Sequence, residues 1–303
     1  MNKFSILSAA AAASLVVSPV VAQAQAARPA AQPAQIDGKP NLNGIWFSAS
    51  RANDNLEPHS ASGSPIPAAE RLIGTFAATP AGLGVIDGDG KIPYKPEALA
   101  KLQEHRQNLI SYDPEAACYL PGIPRASYMD YPFQIIQGGG GDDMLMVYEY
   151  ANANRVIEMR DVEIPPIDTW MGTSFGEWEG NTLVVHTLAQ SPGEYKAPRG
   201  VMFEGVTWLD RTGNYIANTT TVHERFTLVD PTHIQYTARI EDENLFTRPW
   251  TISMTLYKNV EPNAQLLEFR CVPFSELMLY GDLLENTDQP AATATPSNAA
   301  APE

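Results

Sequence analysis

The chain has 303 residues, with 35 Asp or Glu against 20 Lys or Arg and a formal net charge of −15 at neutral pH. A surface this acidic repels phosphate backbones and anionic headgroups, which argues against nucleic acid and anionic membranes as partners. The length can bury one large or two modest cores.

Met1 to Lys3 carry one positive charge, and an uncharged stretch rich in Ala, Leu, Ile and Val runs from Phe4 to Val21. It ends on Ala22-Gln23-Ala24 and Ala24-Gln25-Ala26, the small-x-small pattern of a cleavage site. Residues 1–26 therefore read as a secretory signal peptide, and the mature protein as periplasmic or secreted. An anchor is the weaker reading, because the stretch is Ala- and Ser-rich, contains Pro19 and barely reaches the roughly 20 apolar residues a span needs. No later segment is long enough, so no membrane span is expected. Residues 27–40, with three prolines among Ala and Gln, form a linker. Residues 41–287 make a single β-rich domain, and 288–303, rich in Ala, Thr and Pro without periodicity, a disordered tail.

The domain opens with a strand at Asn41-Leu-Asn-Gly-Ile-Trp46 and continues through a Pro- and Gly-rich loop region to Tyr94. Pro96 is a good first helical residue, and Leu99, Leu102, the stem of Arg106 and Leu109 then give an amphipathic stripe. From Tyr131 the period switches to two. Strands are predicted at Phe133–Gln137, Met144–Tyr150, Arg155–Met159, Thr182–Leu188, Tyr215–Leu228, His233–Ile240, Trp250–Tyr257 and Gln265–Cys271. Ile216, Val222, Phe226 and Leu228 share one face of their strand, and Thr221, His223, Arg225 and Thr227 the other. The Gly138–Gly141 run lacks the Lys-Ser/Thr of a phosphate loop and reads as a hairpin tip. So many antiparallel strands close into a barrel or sandwich, since open edges invite aggregation. The fold class is mainly β: an antiparallel, lipocalin-like barrel or sandwich with a loop and helix insertion after the first strand.

Two cysteines, Cys118 and Cys271, are compatible in an oxidising compartment with one disulfide, contributing roughly 3–5 kcal/mol, or with two buried thiols. No zinc-ligand spacing, nucleotide loop or Gly-x-Ser-x-Gly elbow is present, so no metal and no cofactor is expected.

His186 lies in Val184-Val-His-Thr-Leu188, a strand apolar on both faces; it is either a general acid or base of the barrel wall or a satisfied core histidine. Glu149 follows Leu145 and Val147 on an apolar face, and Arg155 stands across the next hairpin. They are either catalytic or an ion pair holding that hairpin. Tyr131, Tyr148 and Trp170 are the aromatic candidates for stacking on a ligand, with core packing as the alternative. Arg248, before Pro249-Trp250, is either a clamp for a substrate carboxylate or a salt bridge at a strand start.

Several stretches resemble a family of largely uncharacterised exported bacterial proteins: Asn41–Trp46, Asp113-Pro-Glu-Ala-Ala-Cys118, Pro121-Gly-Ile-Pro-Arg125, Tyr131–Ile135, Thr169–Gly172, Trp178–Val185, Thr207-Trp-Leu-Asp210, Glu224-Arg-Phe226 and Thr247–Thr251. The resemblance spans nearly the whole domain and implies a β-rich exported protein without a settled activity. His186 stands where that family carries an acidic residue, and Arg160-Asp-Val-Glu-Ile164 departs from its pattern too, so a different ligand is implied. Gly44-Ile-Trp46 also resembles the first strand of a lipocalin-type barrel.

The partner expected from these features is a small apolar or aromatic molecule in a barrel cavity. The protein either converts it by cofactor-free acid/base chemistry as a lyase, dehydratase or isomerase, or carries it unchanged. A structural or interaction protein of the cell envelope is the third reading, and the oligomeric state is left open.

Overall fold

The computed structural model describes residues 34–63, 79–139, 141–160, 163, 166–196 and 202–269. The expected signal segment, most of the linker, the tail and Cys271 lie outside the described residues. The last linker residues are ordered as a small ribbon, Gln35–Ile36 against Lys39–Pro40, turned by Asp37 and Gly38 at positive φ.

Nine strands close a barrel. In chain order they are β1 Gly44–Ser48, β2 Phe133–Ile136, β3 Met144–Tyr148, β4 Asn154–Glu158, β5 Thr173–Glu179, β6 Thr182–Leu188, β7 Thr221–Asp230, β8 His233–Glu241 and β9 Trp250–Lys258. Every strand pairs with its neighbours in sequence, and β9 returns to β1. With an odd number of strands, alternation cannot hold all the way round, so one pair must run parallel. That pair is β4–β5, held by only Ile157↔Ser174 and Glu158↔Phe175. Its crossover occupies residues 159–172, in place of a hairpin.

The barrel with an insertion after its first strand is as the alternation predicts, with three local corrections. Strand β5 forms over a segment to which no strand was assigned. The single strand expected over 215–228 breaks: Tyr215–Ala217 pairs with Val206–Trp208, while Thr219 and Thr220 turn the chain by donating to Asp242 Oδ2 at 2.6 and 2.8 Å. No strand forms over the described residues 265–269, and β9 closes the sheet instead.

Inward rows fill the barrel. Trp46, Ile135, Met146, Ile157, Val185, Phe226, Ile234 and Ile252 have no accessible surface, so no water-sized void lies among them. A ligand cavity at the centre of the barrel, as expected from the sequence, is therefore not formed around these side chains. Apart from Val229 and Tyr257, the outward rows of β7 to β9 are Thr, His, Arg, Gln, Glu and Ser, unlike the apolar band of a membrane barrel. Among the described residues no helix is long and apolar enough to cross a membrane.

The insertion between β1 and β2 carries α1, Pro96–Gln107. Its buried face is Ala98, Leu102 and His105; Leu99, expected on that stripe, is exposed. The face is one residue out of phase because His105 stacks on Trp208, with ring centroids 4.8 Å apart, and its Nδ1 meets the Gly213 carbonyl at 2.8 Å. Residues 121–129 are buried without interruption. Within them Arg125 is bidentate to Asp113 at 2.7 and 3.1 Å and reaches Glu115 at 2.6 Å. Arg211 binds the same Glu115 at 2.6 and 2.9 Å and Asp54 at 2.7 Å. This network ties the insertion to the loop after Trp208.

Candidate functional site

The inward parity of β4 is odd, which sends Arg155 into the barrel beside Ile157. Strand β7 contributes Glu224 from its even, apolar row. The two meet at 2.5 Å, both buried, and Tyr236 donates to the other Glu224 oxygen at 2.8 Å. Arg155 Nε donates to Ser174 Oγ at 2.8 Å and Nη2 to Thr187 Oγ1 at 2.9 Å. Burial works against the Arg155 charge, but Glu224 and Tyr148 together more than offset it, and the guanidinium pKa is raised. Burial, reinforced by Glu224, also raises the Tyr236 hydroxyl well above its ordinary value, so it stays a donor. The guanidinium lies beside the Tyr148 hydroxyl, but Nη1 makes no well-aligned hydrogen bond.

Where β4 and β5 separate below their two register pairs, the wall opens into a pocket of about 420 Å³. Asn154, Arg155, Val156 and Glu158 form one side. Thr169 to Ser174 form the other, with Leu120 from the insertion. Trp170 is half-buried and stacks on Tyr119 with centroids 5.6 Å apart and planes 8° from parallel. Phe203 packs edge-on against both rings, at 4.6 and 5.0 Å. The pocket thus sets an aromatic wall beside the strand behind which the Arg155 guanidinium is buried.

Gly172 shapes this wall. Its φ is +68°, and a Cβ there would stand 2.7 Å from the Leu188 carbonyl and 2.5 Å from Gln190 Cγ. Gly172→Ala is expected to destabilise the fold by more than ~1 kcal/mol, seen as a lower thermal midpoint.

Of the residues singled out by sequence, the structure brings Arg155 and Trp170 to this pocket and leaves the others elsewhere. His186 is not buried in the barrel. Leu183, Val185 and Thr187 take the inward parity, so His186 faces outward and contacts His223. Glu149 is no partner of Arg155: it keeps the outward parity of Val147, while Arg155 pairs in register with Met146 on the inward row. Glu149 instead accepts from the Leu267 amide at 2.8 Å. The three proposed catalytic groups therefore do not converge. Tyr148 is buried inside the barrel and packs on Phe133 at 5.4 Å. Tyr131 lies against Tyr150 and Phe269, each at 5.5 Å. Arg248 is exposed, lies away from the pocket and pairs with Asp89 at 3.2 Å. Cys118 lies at the end of a short 3-10 turn with φ 58°, and its expected partner Cys271 is outside the described residues.

Glu224 and Ser174 are the additions that sequence reasoning missed. Glu224 was signalled by a carboxylate between Val222 and Phe226 on an otherwise apolar row; Ser174 carried no such mark. Among the described residues no group of three or more His, Cys, Asp or Glu side chains is arranged to hold a metal ion. No family model, no curated protein and no solved structure matches the chain.

Proposed function

We propose that the protein binds a small, planar, largely apolar or aromatic molecule in the pocket at the β4–β5 seam and carries it unchanged. The observation that supports this best is the lining itself: Trp170, its stack already continued on one side by Tyr119, faces the same space as Arg155 and Ser174. A volume of about 420 Å³ falls within the usual range for small-molecule sites. The ligand is neutral on this reading. Glu224 already matches the Arg155 charge, and Glu158 on the rim would repel a carboxylate. The separation of His186, Glu149 and Arg155 leaves an acid/base reaction without its pair, which favours the carrier over the lyase. The same proposal keeps the chain outside the cytoplasm, on the strength of residues 1–26, with a Cys118–Cys271 disulfide and the exported β-rich family it resembles.

The test is titration with prodan, a neutral naphthalene ketone whose emission shifts to the blue in apolar surroundings. Saturable, blue-shifted binding is expected. Trp170→Ala should weaken it at least about tenfold, since losing a stacked, buried aromatic face costs ~1.4 kcal/mol or more. Arg248→Ala should leave it unchanged. Wild-type affinity in the Trp170 variant would overturn the proposal.

A further inference from the structure

A row of four side chains crosses four neighbouring strands on the outer wall: Glu177 on β5, His186 on β6, His223 on β7 and Glu241 on β8. His186 and His223 are direct cross-strand partners, with Nδ1 atoms 2.5 Å apart. Their rings are 85° from parallel with centroids 4.7 Å apart. That centroid separation is close to the N···N distance plus the two centroid-to-nitrogen radii, so each Nδ1 points at the other. The alignment suits a nitrogen-to-nitrogen hydrogen bond. It does not suit chelation, in which both lone pairs converge on a third point and metal–nitrogen bonds of about 2.0–2.1 Å hold the nitrogens farther apart.

We infer that His186 and His223 share one proton across the β6–β7 seam and form a clasp that acid opens. In the neutral pair one Nδ1–H donates to the other Nδ1. A first added proton goes to the free Nε2 of the donor ring and strengthens that bond. The second can only go to the accepting Nδ1, which then faces an N–H, and the bond is lost. Each imidazolium has a carboxylate waiting at its far nitrogen: His186 Nε2 lies 3.9 Å from Glu177, and His223 Nε2 lies 3.9 Å from Glu241.

The other charged neighbours are few. Arg239 lies opposite His223 in register and binds Glu241, Arg225 on the same face is paired with Glu179 at 2.8 Å, and the residue opposite His186 is the uncharged Phe175. Burial first, and then the nearby His186, hold His223 below its ordinary pKa against the pull of Glu241. A histidine lowered in the fold binds fewer protons there than when unfolded. Its contribution is therefore complete above pH 6.5, is lost as pH falls from there through the folded value, and changes no further below it.

The experiment is an NMR titration of imidazole nitrogens in the wild-type protein and in His186→Gln and His223→Gln. Both side chains are partly exposed, so the glutamine variants should stay folded, as circular dichroism would report. A through-hydrogen-bond coupling between the two Nδ1 nuclei is expected near neutral pH and should vanish in acid. In His186→Gln the His223 midpoint should rise, because the nearby His186 is one of the two causes that lower it. Absence of the coupling with midpoints unmoved in both variants would overturn the clasp. Stoichiometric loss of both signals on adding Zn²⁺ would overturn it in favour of chelation.

Discussion

Arg125→Met should lower the unfolding free energy by roughly 3–5 kcal/mol, measured by urea denaturation at neutral pH. The guanidinium is fully buried and is the shared counter-charge of Asp113 and Glu115, which are buried themselves. Methionine matches the apolar stem but leaves Asp113 with no other ion pair among the described residues. Arg125→Lys should recover only part of the loss, because one ammonium cannot reproduce the bidentate contact with Asp113 and the Asn53 bond at 2.8 Å. Within the network, Glu115 taken by itself predicts a pH dependence, while burial raises Asp113. Burial alone would push the Glu115 carboxyl up, but Arg125 and Arg211 outweigh it and hold it below its ordinary 4.5. Its stabilisation is thus present above pH 4.5 and lost as pH falls through the lowered folded value. A variant that unfolds within 1 kcal/mol of wild type would mean these charges are not desolvated as the structure has them.

Arg155→Met should cost a similar roughly 3–5 kcal/mol, for the same reason at the centre of the barrel: it strands Glu224 with only the Tyr236 hydroxyl. Because the cost is the orphaned charge and not the missing contact, Glu224→Met on top of Arg155→Met should restore much of the stability. Buried ion pairs replaced whole by apolar residues are often neutral or better. A double-mutant cycle by denaturation reads this directly, with a strongly non-additive double variant as the expected result. Additive losses would mean that Arg155 and Glu224 act independently.

The barrel was legible because its late strands carry period-two rows. Val222, Phe226, Ile234, Tyr236, Ile252 and Leu256 all point inward as the alternation requires. Parity also held the information that misassigned the site. Counting from Leu183 and Val185 puts His186 outside, and counting back from Ile157 puts Arg155 inside. An apolar outer face at Val184, almost fully buried, disguised this. Strand β5 escaped because Thr173-Ser-Phe-Gly-Glu-Trp-Glu179 alternates weakly, and its one parallel pairing depends on strand count, a property of the closed sheet and not of any local stretch. The pocket at that seam was therefore out of reach, although Trp170 on its rim was picked out. The helix face slipped by one residue because a histidine with aromatic partners, His105, took the core position that the stripe assigns to the stem of Arg106.

The proposal of a carrier site at the β4–β5 seam is tested most directly by a crystal structure of the protein soaked with prodan. The expected density lies flat against Trp170 in the seam pocket. Prodan seated elsewhere on the barrel, with the seam pocket empty at saturating concentration, would contradict it.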